Sequence, residues 1–540
     1  MLYCAGMASI RKMNKELGGK LDMKDWLVMI GASIGYALVS MLHIGSSSVW
    51  FDESFGAYLI RFDFIKIWEY TAADVHPPLY YWTLKLWSGL FGNSDVALRT
   101  MSVVFGVVAL IFIYKLARRV FGRKAGVFAV LFAMLSPILV RYGMEMRMYT
   151  MMLAIAIAAT YYVVRAKRDG KRKYWVVYGV LVSLGMWTHY FMALVWLAHF
   201  AWLVWTTMER KQRIATWAKK FFTKNLLIGY AVALGLFLPW LVAFIKQVLI
   251  VQTAGFWIPP VNLTTIAGYL SNSVFYEDAS AIPPFLTLFF MILMVLGITI
   301  MVRAYRGMDR DKKRDYMLIL MTTFLPIIIL IALSMPPLQS SFVSRYLVTS
   351  SVMLMVLVGV SLATFDHTKT RHWLLVLVFV AAPIIGIANV YHYGNFNKET
   401  GNMSGAKQLV ARVYEESTDN ESIVSASPWL FYDTVFYETD RHQVYYVDEL
   451  VDYVFGSLTP LANENVDRVE SMREFARQRI VFWWIDDFDG KADVLGMVGE
   501  GWEKSREVVV NDPYHGKPTY RASLYTRTDG VFNTSKNAEY

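Results

Sequence analysis

The sequence predicts a polytopic α-helical membrane protein that carries a small extracytoplasmic α/β domain at its C-terminal end. Three observations lead there. Apolar runs near 20 residues, the length that crosses a hydrocarbon core, recur between residues 26 and 391. Only 18% of the 540 residues are charged, against about a quarter in soluble domains, and the mean hydropathy is +0.37. The net charge of +10 is also unevenly placed: residues 392–540 carry 15 Lys/Arg and 25 Asp/Glu, which leaves +20 on the rest. A purely soluble enzyme, a collagen-like chain and a low-complexity chain are excluded. The single cysteine, Cys4, excludes an intramolecular disulfide framework.

Residues 1–25 form a basic cytoplasmic segment. Eleven apolar runs follow, near 26–45, 97–117, 124–141, 148–165, 174–188, 190–208, 225–245, 283–302, 316–335, 345–364 and 373–391. No small-residue cleavage site follows the first, which is expected to stay as a signal anchor. The fifth and sixth are nearly continuous, so a tight turn is expected at Thr188–Tyr190. Sidedness follows from Lys and Arg. The connections Arg11–Lys24, Lys115–Lys124, Arg165–Lys173, Arg210–Lys224, Arg303–Arg314 and Lys369–Arg371 hold 30 basic residues and are expected to be cytoplasmic. These clusters set topology, and no nucleic-acid partner is implied. Eleven spans then put residues 392–540 outside the cell membrane, and 26–391 form the membrane domain.

The outer side has a long first loop, 46–96, a second at 246–282 and a third at 336–344. Within the first, 54–70 and 79–91 have helical apolar spacing and are too short to span, as helices lying in the interface do. The C-terminal region reads as a helix over GAKQLVARVYEES, strands over SIVSASPWL and RHQVYYVDE, a helix over MREFARQ, a strand over RIVFWWIDD and a late strand pair, REVVVND with YRASLYTRT. It carries no GxGxxG or Walker pattern, and no function is assigned to it.

Ionisable residues at a membrane face are costly unless they act. Here they gather in five strings, all on the outer side by the topology above: Trp50-Phe51-Asp52-Glu53, Asp74-Val75-His76-Pro77-Pro78, the turn from Arg141 to Tyr149 that contains Glu145 and Arg147, Thr188-His189-Tyr190, and Ser344-Arg345-Tyr346. A carboxylate can take a proton from an acceptor hydroxyl, and arginines can hold a phosphate and stabilise it as it leaves. Interfacial helices can admit a lipid tail. Together these describe transfer from a lipid-phosphate carrier to a hydroxyl. The bland alternative for Asp52 is a helix cap. A transporter or lipid flippase would instead show internal repeats and charge at the bilayer midplane. A receptor domain on a membrane anchor would leave the five strings unexplained.

The order FDE, DVHPPLYYW, LFGNSDVALR, SPILVRYGMEMRMYTM and WTHYFMAL resembles bacterial membrane glycosyltransferases of the GT-C fold, and within them the family 39-like superfamily of protein O-mannosyltransferases and aminoarabinose transferases. The likeness is strong over residues 26–205 and continues to SRYL at Ser344–Leu347. It implies a GT-C fold of about 11 transmembrane helices and an inverting transfer. The donor would be a polyprenyl-phosphate-linked sugar, and the acceptor a glycan, glycolipid or protein hydroxyl at the outer face of the cytoplasmic membrane. Asp52 would be the base, and Glu53 would orient Asp52 or the acceptor. His76, Arg141, Glu145, Arg147, Tyr149, His189, Arg345 and Tyr346 would bind donor and phosphate. In the aminoarabinose branch a lysine usually fills the position of His76, and Met146 replaces a small residue of the family, so the chain departs from that pattern. Some enzymes of this fold hold a divalent ion on the acidic loop. Asp52, Glu53, Asp74, His76 and Glu145 have the right chemistry, but no spacing fixes such a site, and the metal is left open.

Overall fold

The structure, a computed structural model, describes residues 20–208, 213–254, 258–277, 283–394, 404–418, 421–438, 440–447, 458–464, 468–511 and 516–528. The chain divides into two compact units: Met1–Ile44 with His76–Tyr391, and Gly45–Val75 with His392–Tyr540. Residues 45–75 of the first outer loop thus group with the C-terminal residues.

The first unit is helical, and each apolar run marked in the sequence lies on a helix or a broken pair. Among the described residues seven helices are long and apolar enough to cross a membrane. The number rises to eight if Arg123–Met134 and Pro137–Gly143, bent by 58°, form one span, while Met192–Thr207 is apolar but shorter. The bend has a local cause. Pro137 has no N–H for the preceding turn, and Ser136 accepts from Leu139 N, so a new helix starts there. The turn expected at Thr188–Tyr190 lies between the helices Arg172–Thr188 and Met192–Thr207.

Packing between helices is close where the sequence allows it. A Cβ on Gly179 would overlap the Gly229 carbonyl, so the helices Arg172–Thr188 and Lys224–Phe237 meet backbone to backbone. Gly143 likewise leaves room for the Tyr36 hydroxyl, which donates to Leu139 O at 3.3 Å. Buried Asp25 joins three elements. It accepts from Tyr114 Oη at 2.6 Å, Arg118 Nε at 2.8 Å and Arg123 Nε at 2.9 Å, which ties the helix Met23–Met41 to Asp95–Phe121 and Arg123–Met134.

The second unit holds a five-stranded mixed sheet: β1 (Ser422–Ser425), β2 (Val444–Tyr446), β3 (Val481–Asp487), β4 (Trp502–Asn511) and β5 (Pro518–Arg527), in the order β2-β1-β3-β5-β4. β1 runs parallel to β2 and β3, while β3, β5 and β4 are antiparallel neighbours. β3 is covered on both faces. Phe482 and Trp484 pack with Met472, Phe475 and Val494, and buried Trp483 donates to Glu421 at 2.7 Å.

Two expectations for this unit need correction. Residues 54–70 are two helices, Phe51–Leu59 and Phe64–Ala73. The chain breaks at Ile60–Asp63, because Asp63 accepts from Ile65 N and Lys66 N and starts a new helix. The strand read over SIVSASPWL stops at Ser425. Ser427 then caps a helix, Pro428–Tyr437, through Leu430 N, with Pro428 in its first turn, where a missing N–H costs nothing.

Candidate active site

In the first unit, six of the residues singled out from sequence meet around His189. This residue follows the helix Arg172–Thr188 directly and is 4% exposed. Phe191 N donates to His189 Nδ1 at 3.3 Å, so that nitrogen carries a lone pair and the ring proton sits on Nε2. Burial, and then the neighbouring His76, Arg147 and Arg345, hold His189 well below the usual histidine range, so the ring is neutral. Its ring lies 5.2 Å from Tyr346, 5.9 Å from Tyr149 and 6.4 Å from His76, centroid to centroid. Arg147 Nη2 donates to His76 Nε2 at 3.4 Å, since a guanidinium has no acceptor. Arg345 lies in the short turn Ser344–Leu347 that opens the helix Val348–Leu362, and its guanidinium sits 5.9 Å from the Tyr346 ring. Arg147 is 2% and Arg345 8% exposed. Two cations drawn from distant parts of the chain are thus buried around one neutral imidazole.

Arg141 and Glu145 form a second group on the same turn. Arg141 Nη1 pairs with Glu145 Oε2 at 2.7 Å, and its Nε donates to Tyr276 Oη at 3.0 Å. Both side chains are buried. The turn itself is pinned from the neighbouring helix, where Ser102 Oγ donates to Glu145 O at 2.6 Å. Neither Tyr276 nor Ser102 stood out in the sequence. Each is a neutral polar residue outside the charged strings, and only its fold partner gives it meaning.

The acidic pair lies in the second unit, on the helix Phe51–Leu59. Trp50 holds the N-cap position, with no side-chain cap bond, and Asp52 is the second helical residue, so Asp52 is not the cap. Asp52 is half-buried, and Glu53 is 1% exposed. The helix Pro428–Tyr437 packs against this acidic helix: the Tyr432 ring lies 5.9 Å from Phe51, 5.6 Å from Phe55 and 5.0 Å from Tyr58. Asp433, next along, is 4% exposed and is bonded to Ser54 Oγ and, at 3.2 Å, to Ser404 Oγ. Burial pushes its carboxyl up to about 8 against the two hydroxyls, and the Glu53 and Asp487 charges push the same way. Sequence reading passed over Asp433; the available signal was one acid inside the aromatic run PWLFYDTVFY.

The five side chains weighed as metal ligands divide between the units, with Asp52, Glu53 and Asp74 in one and His76 and Glu145 in the other. Among the described residues no group of three or more His, Cys, Asp or Glu is arranged to hold a metal ion.

Residues 75–242 match the family model described as dolichyl-phosphate-mannose-protein mannosyltransferase. Among solved structures the chain is similar to ArnT from Cupriavidus metallidurans in the apo state, at 13% identity and a TM-score of 0.59, covering 91% of this chain and 97% of that one. It is also similar to the same protein bound to undecaprenyl phosphate, at 12% identity and a TM-score of 0.61, covering 93% and 98%. By sequence, no curated protein matches the chain. The chain has the GT-C membrane fold, and through residues 75–242 it resembles the dolichyl-phosphate-mannose-protein mannosyltransferases.

Proposed function

We propose that the protein is an inverting glycosyltransferase that moves a sugar from a polyprenyl-phosphate carrier to a hydroxyl at the outer face of the cytoplasmic membrane. The observation that carries this reading is the burial of Arg147 and Arg345 around neutral His189, with His76 bonded to Arg147. Guanidinium groups match phosphate geometry, and a neutral histidine with its proton on Nε2 adds a donor without repelling them. The fold shared with a protein solved with undecaprenyl phosphate supports a lipid-phosphate ligand. It does not bring that protein's sugar, since His76 stands where the aminoarabinose branch usually has lysine.

The chemistry assigned to this chain is a single displacement. The acceptor oxygen bonds to C1 of the sugar as the bond from C1 to the phosphate oxygen breaks. The acceptor proton passes to Asp52, and the polyprenyl phosphate departs with both electrons of the broken bond. Arg345, Arg147 and His76 stabilise the phosphate as its charge grows. Glu53 orients Asp52 or the acceptor, and Arg141, Glu145 and Tyr149 hold the turn and the donor.

Binding of undecaprenyl phosphate to the purified protein in detergent tests the carrier assignment. Arg345→Ala removes a charge-assisted phosphate contact worth about 1.5–3 kcal/mol and should weaken binding by roughly tenfold or more. Undiminished affinity in a folded Arg345→Ala protein would place the carrier phosphate elsewhere.

A further inference from the structure

We propose that Asp433 of the C-terminal region is a positioning residue for the acidic helix Phe51–Leu59, acting as a neutral carboxylic acid that locks Ser54 in place. The proposal rests on Asp52 being the base, because Ser54 is two residues along the same helix.

Proton counting at Ser54 supports it. The Ser54 hydroxyl has one proton and two oxygen neighbours, the Phe51 carbonyl at 3.0 Å and Asp433 Oδ1. A carbonyl can only accept, so Ser54 donates to Phe51 O and its lone pair faces Asp433. With a proton on Asp433 Oδ1 donated to Ser54, each contact is a full hydrogen bond, whereas an ionised Asp433 would have to share the one hydroxyl proton with Phe51 O. Ser404 Oγ then donates to Oδ2 at 3.2 Å, and the carboxylic acid is satisfied on both oxygens. The surroundings favour the neutral form. Asp433 and Ser54 are both buried, and the ionisable groups facing Asp433 are Glu53 on the acidic helix, Asp487 on β3 and Tyr520 on β5. Two are acids and the third a phenol, none of which welcomes a second negative charge.

The rest of the interface makes this lock matter. Val49 N donates to Tyr437 Oη at 2.7 Å just before the acidic helix, and Arg61 Nη2 donates to Val435 O at 3.2 Å just after it. Lys407 N donates to Ser48 Oγ at 2.8 Å. Asp433–Ser54 is a buried polar contact within two residues of Asp52 and Glu53 on that helix. Ionising Asp433 would leave two acceptors, its own oxygen and Phe51 O, competing for one hydroxyl proton beside Glu53.

The test uses the full chain in detergent, with two readouts on Asp433→Asn and Asp433→Ala: sugar transfer against pH, and amide hydrogen exchange of residues 51–59. An asparagine amide can donate to Ser54 and accept from Ser404 at every pH. Asp433→Asn should therefore keep turnover and protection near the wild-type level at neutral pH. Asp433→Ala should lose protection over residues 51–59 and about tenfold or more in kcat, because catalysis is sensitive to small displacements of the base. In the wild type both readouts should fall together as the pH passes about 8, and in Asp433→Asn neither should. Wild-type protection in Asp433→Ala, or an alkaline loss in Asp433→Asn equal to the wild type's, would overturn the proposal. Absence of any sugar transfer with the expected exchange pattern intact would instead count against the transferase reading.

Discussion

At the scale of single residues, burial and neighbouring like charges shift both His189 and Asp433 toward their neutral forms. His189 is desolvated and lies near two guanidiniums. Asp433 is desolvated and lies near two carboxylates. The second has a measurable effect on stability. Its folded-state pKa of about 8 is above the unfolded value of about 3.9, so the folded state binds the extra proton. Its contribution to stability is complete below about pH 4, declines as pH rises, and is fully lost once pH passes about 8, at no more than about 1.4 kcal/mol per pH unit. Asp433→Asn has no such titration. Its melting temperature relative to wild type should rise from pH 4 to pH 8 and level off beyond. A difference that stays constant across that range would mean that Asp433 is ionised in the folded protein.

At the scale of elements, the fold was legible wherever one local rule acted alone. Long apolar runs gave helices in the right places, and Thr188–Tyr190 was a turn because two runs abut there. Errors came where a cap or a proline overrode the pattern. Asp63 cut the apolar stripe of 54–70 into two helices, and Ser427-Pro428 turned the end of an apparent strand into a helix start. The charged strings exposed eight donor-side candidates, of which six gather at His189 and two pair on the adjacent turn. Tyr276, Ser102 and Asp433 were hidden because a polar residue's partner across more than 40 sequence positions leaves no local trace. Asp25 is the element-scale case that can be tested. It is fully buried and takes hydrogen bonds from three side chains on two other helices, and Arg118 beside it is largely buried. Asp25→Ala leaves Arg118 without its counter-charge and should cost about 3–5 kcal/mol, read as a lower melting temperature in detergent. A change under about 1 kcal/mol would mean that the helices are held together without this network.

At the scale of the whole molecule, the charge asymmetry and the site both require one sidedness. On the sidedness expected from the Lys/Arg distribution, the basic connections face the cytoplasm and residues 392–540 lie outside. A reporter fused after Tyr540 should therefore read as extracytoplasmic; a cytoplasmic signal would add or remove a span and divide the proposed site across the bilayer. The central claim is that Asp52 takes the acceptor proton while the membrane domain holds a polyprenyl-phosphate sugar. The most direct measurement is turnover of such a donor by wild type and Asp52→Asn in detergent, with donor binding measured alongside. Asn is nearly isosteric but takes no proton at neutral pH, so turnover should fall by about 10²–10⁴-fold while donor affinity stays unchanged. Near-normal turnover in Asp52→Asn would contradict the claim and leave the acidic helix without a part in the chemistry.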